Sequence, residues 1–160
     1  LDTIIVEIVE GEIQVSGPNV MSGYWNNEDA TKKVLVEREG NTWYKTGDAG
    51  RIEDGYLFYE GRISDNYKLS NGKFVNVDSV ENVVKRFVKG MVVVFGEDKD
   101  YNELITDEII HPETLRDINE CLDNYLKIKK IHYLDTDEWI PYLTPKMSVK
   151  RKVLIQEKYS

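Results

Sequence analysis

Tyr44-Lys45-Thr46-Gly47-Asp48-Ala49-Gly50, followed by Gly61-Arg62-Ile63-Ser64-Asp65, decides how this 160-residue chain is read. Thr-Gly-Asp reads as a tight turn that ends a strand and aims one carboxylate. Gly-Arg then delivers a guanidinium a short, strand-rich distance later. An ionised carboxylate can accept two hydrogen bonds from a vicinal diol, and an arginine beside it can hold it in place or touch the same sugar. Asp48 and Arg62 therefore form a candidate ribose clamp. Either motif alone reads as readily as a structural turn or ion pair. Their order, spacing and flanks point to a nucleotide.

The flanks divide into two zones. Up to about Ser64 the pattern is strand and turn. Thr3 to Val9 alternates apolar residues onto both faces, which suits a strand covered on both sides. Glu10-Gly11 turns it into Glu12 to Ser16, and Gly17-Pro18-Asn19 ends that strand. Asn27 is a candidate N-cap for a short helix with Glu28 and Asp29 in its first turn. Trp43 to Thr46 is a strand ending in the Thr-Gly-Asp turn. Arg51 to Glu53 and Tyr56 to Tyr59 flank Asp54-Gly55, a hairpin signal because that pair supplies positive φ angles.

The second zone starts near Asp65 and reads as a small α+β domain with about three helices. Asn66 to Leu69 and Lys73 to Val77 flank the turn Ser70-Asn71-Gly72. Asp78 to Glu81 has the form of a capping box before a helix over Val80 to Val88. Met91 to Phe95 and Tyr101 to Ile105 are strand candidates that could pair. Pro112 sits at a first helical position, and Leu115, Ile118, Leu122, Tyr125 and Leu126 share one helical face. Ile131 to Leu134 is a further strand, and Val149 to Lys158 a terminal helix. His111 is a candidate helix cap, and His132 alternates along a strand. Neither has partners in a metal-ligand spacing, no Ser/His/Asp arrangement is readable, and no metal site is expected.

Composition narrows the function classes. A net charge of −8 disfavours general affinity for nucleic acid or anionic membrane. The tail runs the other way, with Lys146, Lys150, Arg151, Lys152 and Lys158 against Glu157. It reads as a solvated helix face or as a phosphate-facing segment. The single cysteine, Cys121, rules out an internal disulfide framework and a Cys-rich zinc site, and falls in a helix pattern as a packing residue. No run is long and apolar enough for a membrane-spanning helix. A cytoplasmic setting is expected.

Four segments in order carry a family resemblance. Gly11 to Asn27, GEIQVSGPNVMSGYWNN, resembles the GEI-x-V-x-GP segment of AMP-forming acyl-CoA synthetases, members of the adenylate-forming superfamily with luciferases and peptide-synthetase adenylation domains. Trp43 to Gly50 resembles the family's W-x-x-TGD-x-G. Gly61 to Glu81, GRISDNYKLSNGKFVNVDSVE, resembles its hinge motif and the loop that follows. Leu143 to Arg151, LTPKMSVKR, resembles its C-terminal lysine motif. The form YKLSNGKFV is similar to long-chain fatty acyl-CoA synthetases.

The resemblance implies the C-terminal third of an ATP- and Mg2+-dependent ligase. Residues 1–64 would be the strand-rich end of its large N-terminal domain, and residues 65–160 its mobile C-terminal domain. Such enzymes join a carboxylate to ATP and then pass the acyl group to coenzyme A. The substrates implied are a fatty acid, ATP and coenzyme A, with no nucleic-acid partner. Asp65 would be the hinge, Asn71, Gly72 and Lys73 the loop on the coenzyme A side, and Tyr24 a residue lining adenine. The family's Ser/Thr/Gly-rich phosphate loop has no counterpart in these 160 residues.

The lysine motif departs from the family. The adenylation lysine falls on Ser148, whose hydroxyl cannot bring a full positive charge to departing phosphates. Lys146 or Lys150 would have to substitute, or the first half-reaction is impaired. A non-catalytic relative, kept for nucleotide or protein binding, is thus the competing expectation. A plain β-rich domain with chance motifs is the third.

Overall fold

In the computed structural model, which describes residues 3–159, the first unit of the chain ends at Ser64 and the second begins at Asp65. The first unit contains β1 (Ile5–Val9), β2 (Glu12–Ser16), α1 (Glu28–Val34), β3 (Leu35–Arg38), β4 (Asn41–Glu53) and β5 (Tyr56–Arg62). The sheet order is β1-β2-β4-β3, and β5 pairs with β4. Three two-residue turns, Glu10-Gly11, Glu39-Gly40 and Asp54-Gly55, join antiparallel strands with positive φ at both positions. That is the twist-matched turn of a tight hairpin. Asn27 caps α1, its Oδ1 accepting from the Ala30 N–H at 3.0 Å.

Two expectations for this unit fail. Thr46-Gly47-Asp48 does not end a strand, because β4 runs through it for 13 residues. The register on β2 slips between Glu12↔Ala49 and Gln14↔Lys45, so extra β4 residues are absorbed there as a bulge. Gly47, at φ +73°, supplies the backbone conformation that such a bulge requires. The first half of β4 thereby pairs with β2 and β3, and its second half with β5. Nor is β1 covered on both faces. Among the described residues it is an edge strand paired only with β2, and Ile4 and Ile5 are exposed.

The second unit contains β6 (Tyr67–Lys68), β7 (Phe74–Val75), α2 (Val77–Val84), β8 (Val92–Phe95), β9 (Asn102–Thr106), α3 (Pro112–Glu120), β10 (Ile128–Tyr133), α4 (Thr136–Trp139) and α5 (Arg151–Lys158). β8 pairs antiparallel with β9, and β10 pairs with β9 in parallel after the α3 crossover. Every residue of β8 and β9 is buried. Alternation explains this. Val92, Val94 and Leu104 face a cluster with Val80, Val84 and Ile118, while Val93, Phe95 and Ile105 face Trp139, Tyr142 and Leu154. One small sheet thus separates α2 and α3 from α4 and α5, an α+β arrangement.

Local details in this unit differ from the reading of the sequence. The cap of α2 is Asn76, whose Oδ1 accepts from the Ser79 N–H at 3.0 Å, and the helix begins at Val77. Asp78 to Glu81 is therefore no capping box, and Glu81 is buried. α3 stops at Glu120, so Leu122, Tyr125 and Leu126 reach the core from the turn beyond it. Asn119 ends the helix by clasping Ile128, donating to its carbonyl and accepting from its N–H, both at 2.8 Å. Cys121 lies at the C-cap and is exposed rather than packed. His111 occupies the N-cap position of α3 without a side-chain capping bond.

Candidate functional site

Asp48 and Arg62 face each other as register partners on β4 and β5. Arg62 Nη1 lies 2.9 Å from Asp48 Oδ1 and donates to the Thr46 carbonyl at 2.8 Å. The bulge is what aims the carboxylate. Thr46 Oγ1 donates to the Ile13 carbonyl at 2.7 Å and accepts from the Asp48 N–H at 3.1 Å. The Gly47 N–H donates to Glu12 Oε1 at 3.0 Å, so β2 fixes the strand on its other side. Gly50 is needed for close approach. A Cβ there would lie 2.7 Å from the Ile13 side chain and from the Phe58 carbonyl.

The Asp48 side chain is 28% exposed and the Arg62 side chain 56%. The pair is thus held by its strands yet open to a ligand. Beside it lie the phenols of Tyr24 and Tyr44, close enough to influence each other electrostatically. Burial and the neighbouring Tyr24 push the Tyr44 phenol up; Asp48 adds to this and Arg62 opposes it. Tyr24 is exposed, and its backbone N–H is pinned by Thr31 Oγ1 at 2.9 Å. Asp48, Arg62, Tyr24 and Tyr44 therefore form one open polar and aromatic surface. It presents a carboxylate, a guanidinium and phenol rings, the groups that suit a sugar diol and a flat base. Tyr44 was not singled out from sequence, where a strand tyrosine carries no distinguishing signal.

In the second unit, Asp65 ends a 3-10 turn over Ile63–Asp65. Asn71-Gly72-Lys73 forms an exposed turn in which Asn71 Oδ1 accepts from the Lys73 N–H at 3.0 Å. Gly72 has φ +79° with open space around it, so its backbone conformation, not crowding, requires glycine. Lys73 Nζ lies 4.7 Å from the centroid of the Tyr125 ring.

The Leu143–Arg151 segment forms a tight antiparallel turn, with Leu143 and Val149 bridged. The Met147 N–H donates to the Thr144 carbonyl, and the Thr144 N–H to the Ser148 carbonyl, both at 2.8 Å. Met147 sits at φ +62°, a conformation that glycine adopts far more readily. The Ser148 hydroxyl lies 2.7 Å from that of Thr144. Lys150 Nζ donates to the Pro141 carbonyl at 3.3 Å. Lys146 is exposed at the tip of the turn. Arg151 differs from the other cations of the tail, being only 14% exposed and paired with Glu81 at 2.5 Å. Sequence reasoning left it with the rest of the tail, as part of a solvated helix face or a phosphate-facing segment.

Among the described residues, no group of three His, Cys, Asp or Glu side chains could hold a metal ion. No helix among them is long and apolar enough to cross a membrane.

No family model matches the chain. Individual proteins do. It is 34% identical over 169 residues to a D-alanine–D-alanyl carrier protein ligase of Bacillus mycoides (strain KBAB4), which covers 97% of this chain and 32% of that protein. It resembles the O-succinylbenzoate coenzyme A synthetase (MenE) of Bacillus subtilis in complex with AMP, with a TM-score of 0.73 and 26% identity. That match covers 98% of this chain and 34% of the other. The same enzyme with ATP and magnesium matches at 0.71 and 26%, covering 93% and 33%. The adenylation domain of a Segniliparus rugosus carboxylic acid reductase shares the fold at a TM-score of 0.77 and 20% identity, covering 91% and 26%. The chain spans about a third of the length of the curated relatives it matches.

Proposed function

We propose, for a chain that belongs to the adenylate-forming superfamily, that it serves an AMP-forming ligase that activates a carboxylic acid as its acyl-adenylate. Its relatives include a D-alanine–D-alanyl carrier protein ligase and a coenzyme A synthetase seen with AMP and with ATP and magnesium, which support this reading. The observation that carries the reading is the Asp48–Arg62 pair on a fixed bulge beside Tyr24 and Tyr44. In this reading Asp48 accepts from the ribose diol, Arg62 holds the carboxylate, and Tyr24 lines the adenine. Residues to Ser64 act as the end of the nucleotide-binding domain. Residues from Asp65 act as its mobile C-terminal domain, with Asp65 as the swivel. The chain offers no cluster of metal ligands among its described residues, so the magnesium that accompanies ATP is assigned no ligand here.

Ser148 occupies the position of the family's adenylation lysine, and its hydroxyl is engaged with Thr144. Of the two candidate substitutes, Lys150 bonds to the Pro141 carbonyl and anchors the turn. Lys146 is the better candidate because it projects from the tip. We assign it the phosphate-facing role.

The acyl acceptor follows as a thiol. Coenzyme A is the favoured one, since a coenzyme A synthetase is among the relatives, and the Asn71-Gly72-Lys73 turn would border its channel. The form YKLSNGKFV supports a long-chain fatty acid as substrate. A carrier protein thiol is the alternative acceptor, because a carrier protein ligase is also a relative.

The second reading, a non-catalytic relative retained for nucleotide binding, is favoured by one observation: a hydroxyl stands where the ammonium is needed. The test is carboxylate-dependent exchange of labelled pyrophosphate into ATP by the complete reading frame, as encoded and with Ser148→Lys. Restoring one transition-state donor is typically worth about 10²–10³ in rate. Measurable exchange as encoded supports the ligase with Lys146. Exchange only with Ser148→Lys supports the non-catalytic reading on an intact ligase frame. No exchange in either contradicts the ligase reading. The 160 residues alone should show none.

A further inference from the structure

Buried Glu81 and half-buried Arg151 form an ion pair that the proposed chemistry leaves unused. Both serve strand β8, which lies at an edge of its sheet. Glu81 Oε1 accepts from the Val94 N–H at 2.8 Å, and Arg151 Nη1 donates to the Val94 carbonyl at 2.9 Å. Arg151 Nη2 closes the loop on Glu81 Oε1 at 2.5 Å. The two side chains thus satisfy both backbone groups of one edge residue, as the peptide of a neighbouring strand would. Lys85 Nζ, 3.4 Å from Glu81 Oε2, completes the buried carboxylate's partners.

One face of the guanidinium remains, and it meets the swivel residue. Arg151 Nε lies 3.7 Å from Asp65 Oδ2. Arg151 also follows directly on the turn that carries Lys146 and Ser148. The Lys150 N–H, one residue before it, donates to the Tyr142 carbonyl at 2.7 Å and closes the base of that turn. A planar guanidinium with two hydrogen-bonded partners in fixed directions and a carboxylate within ion-pair distance of its third side responds to a change in that carboxylate's charge.

We propose that Arg151 is a positioning residue that couples the backbone setting of Asp65 to the turn bearing Lys146. Glu81 and Val94 hold the guanidinium to the sheet, Asp65 sets its remaining face, and the turn at its base follows. This rests on the assignment of Asp65 as swivel and Lys146 as phosphate-facing cation. The coupling itself is a property of the second unit and is measurable without turnover.

The experiment is amide hydrogen exchange on the 160-residue chain as wild type, Asp65→Asn, Arg151→Lys and the double variant. Asp65→Asn keeps the size of the side chain and removes its charge. The expected result is several-fold faster exchange at Met147 and Lys150, with Val93 and Ile105 in the core unchanged. In the Arg151→Lys background the same substitution should have no effect at those amides, because the fork that transmits it is gone. Unchanged turn amides in Asp65→Asn, an equal effect in both backgrounds, or uniform acceleration including the core would each overturn the coupling. Should Arg151→Lys fail to fold, Asp65→Asn alone still decides between the first and last of these results. Absence of ligase activity in the complete reading frame would count against the proposed function and leave this result untouched.

Discussion

Replacing Asp48 by alanine removes the one carboxylate that the fold aims from the β4 bulge. Its Oδ1 is engaged by Arg62 at 2.9 Å, which leaves Oδ2 to accept from a ribose hydroxyl. A hydrogen bond to an ionised group contributes about 1.5–3 kcal/mol. Since about 1.4 kcal/mol is a factor of ten, AMP should bind about tenfold to a hundredfold more weakly. The fold should survive. An ion pair whose arginine is 56% exposed is worth about 0–1 kcal/mol after solvent screening. The bulge itself is held by Thr46, Glu12 and Ile13, not by the Asp48 side chain. The control is Asp54→Asn. Asp54 sits at φ +51° in a hairpin turn, a conformation that asparagine tolerates and alanine resists. Circular dichroism melts check folding, and equilibrium titration with AMP reads affinity. Equal affinities for Asp48→Ala and Asp54→Asn, or an unfolded Asp48→Ala, would refute the ribose clamp.

Other consequences follow from the same geometry. Gly50→Ala would drive a methyl into Ile13 and the Phe58 carbonyl, and should destabilise the first unit by about 1–3 kcal/mol in denaturant melts; an unchanged midpoint would remove the close-approach argument. Burial alone would raise the Glu103 carboxyl, but hydrogen bonds from His132 and Lys99 and the charges of Lys99 and Lys130 outweigh it and hold it below the ordinary glutamate value. Stability from Glu103 is therefore present above its unfolded value and lost as pH falls through the folded one. Melting temperatures taken downward from pH 6 should fall less steeply in Glu103→Gln than in wild type, and parallel curves would contradict this.

Much of the fold was legible because its strongest signals are local. Asp54-Gly55, Asn27 before two acids, and Pro112 at a helix start each act through a few neighbouring backbone groups, and each holds in the structure. The failures share a cause: tertiary partners overrode local pattern. Thr46-Gly47-Asp48 looks like a turn in isolation, but β2 on one side and β5 on the other carry the strand through it. Glu81 looks like a capping-box acid, yet Arg151, 70 residues away, and the Val94 N–H claim it. The apolar period of α3 runs on past Glu120, but Asn119 turns the chain toward β10 while Leu122, Tyr125 and Leu126 still enter the same core.

The candidate site was legible as residue types more than as geometry. Asp48 and Arg62 were found from their motifs, and their cross-strand register could not be, since it depends on the bulge. Tyr44 and Arg151 were missed for the opposite reason. A strand tyrosine and a basic tail residue are ordinary in sequence, and become distinctive only through Tyr24 and Glu81.

The central claim is that this chain recognises the ribose diol of an adenine nucleotide through Asp48 and Arg62. Nuclear magnetic resonance titration of the 160-residue chain with AMP and with 2′,3′-dideoxy-AMP tests it most directly. The account predicts that AMP shifts the amides from Thr46 to Ala49, the Arg62 side-chain signal and the Tyr24 ring. It predicts that the dideoxy nucleotide does so about tenfold more weakly or worse, by the worth of a hydrogen bond to a charged group. Equal shifts with both nucleotides, or none with either, would contradict it.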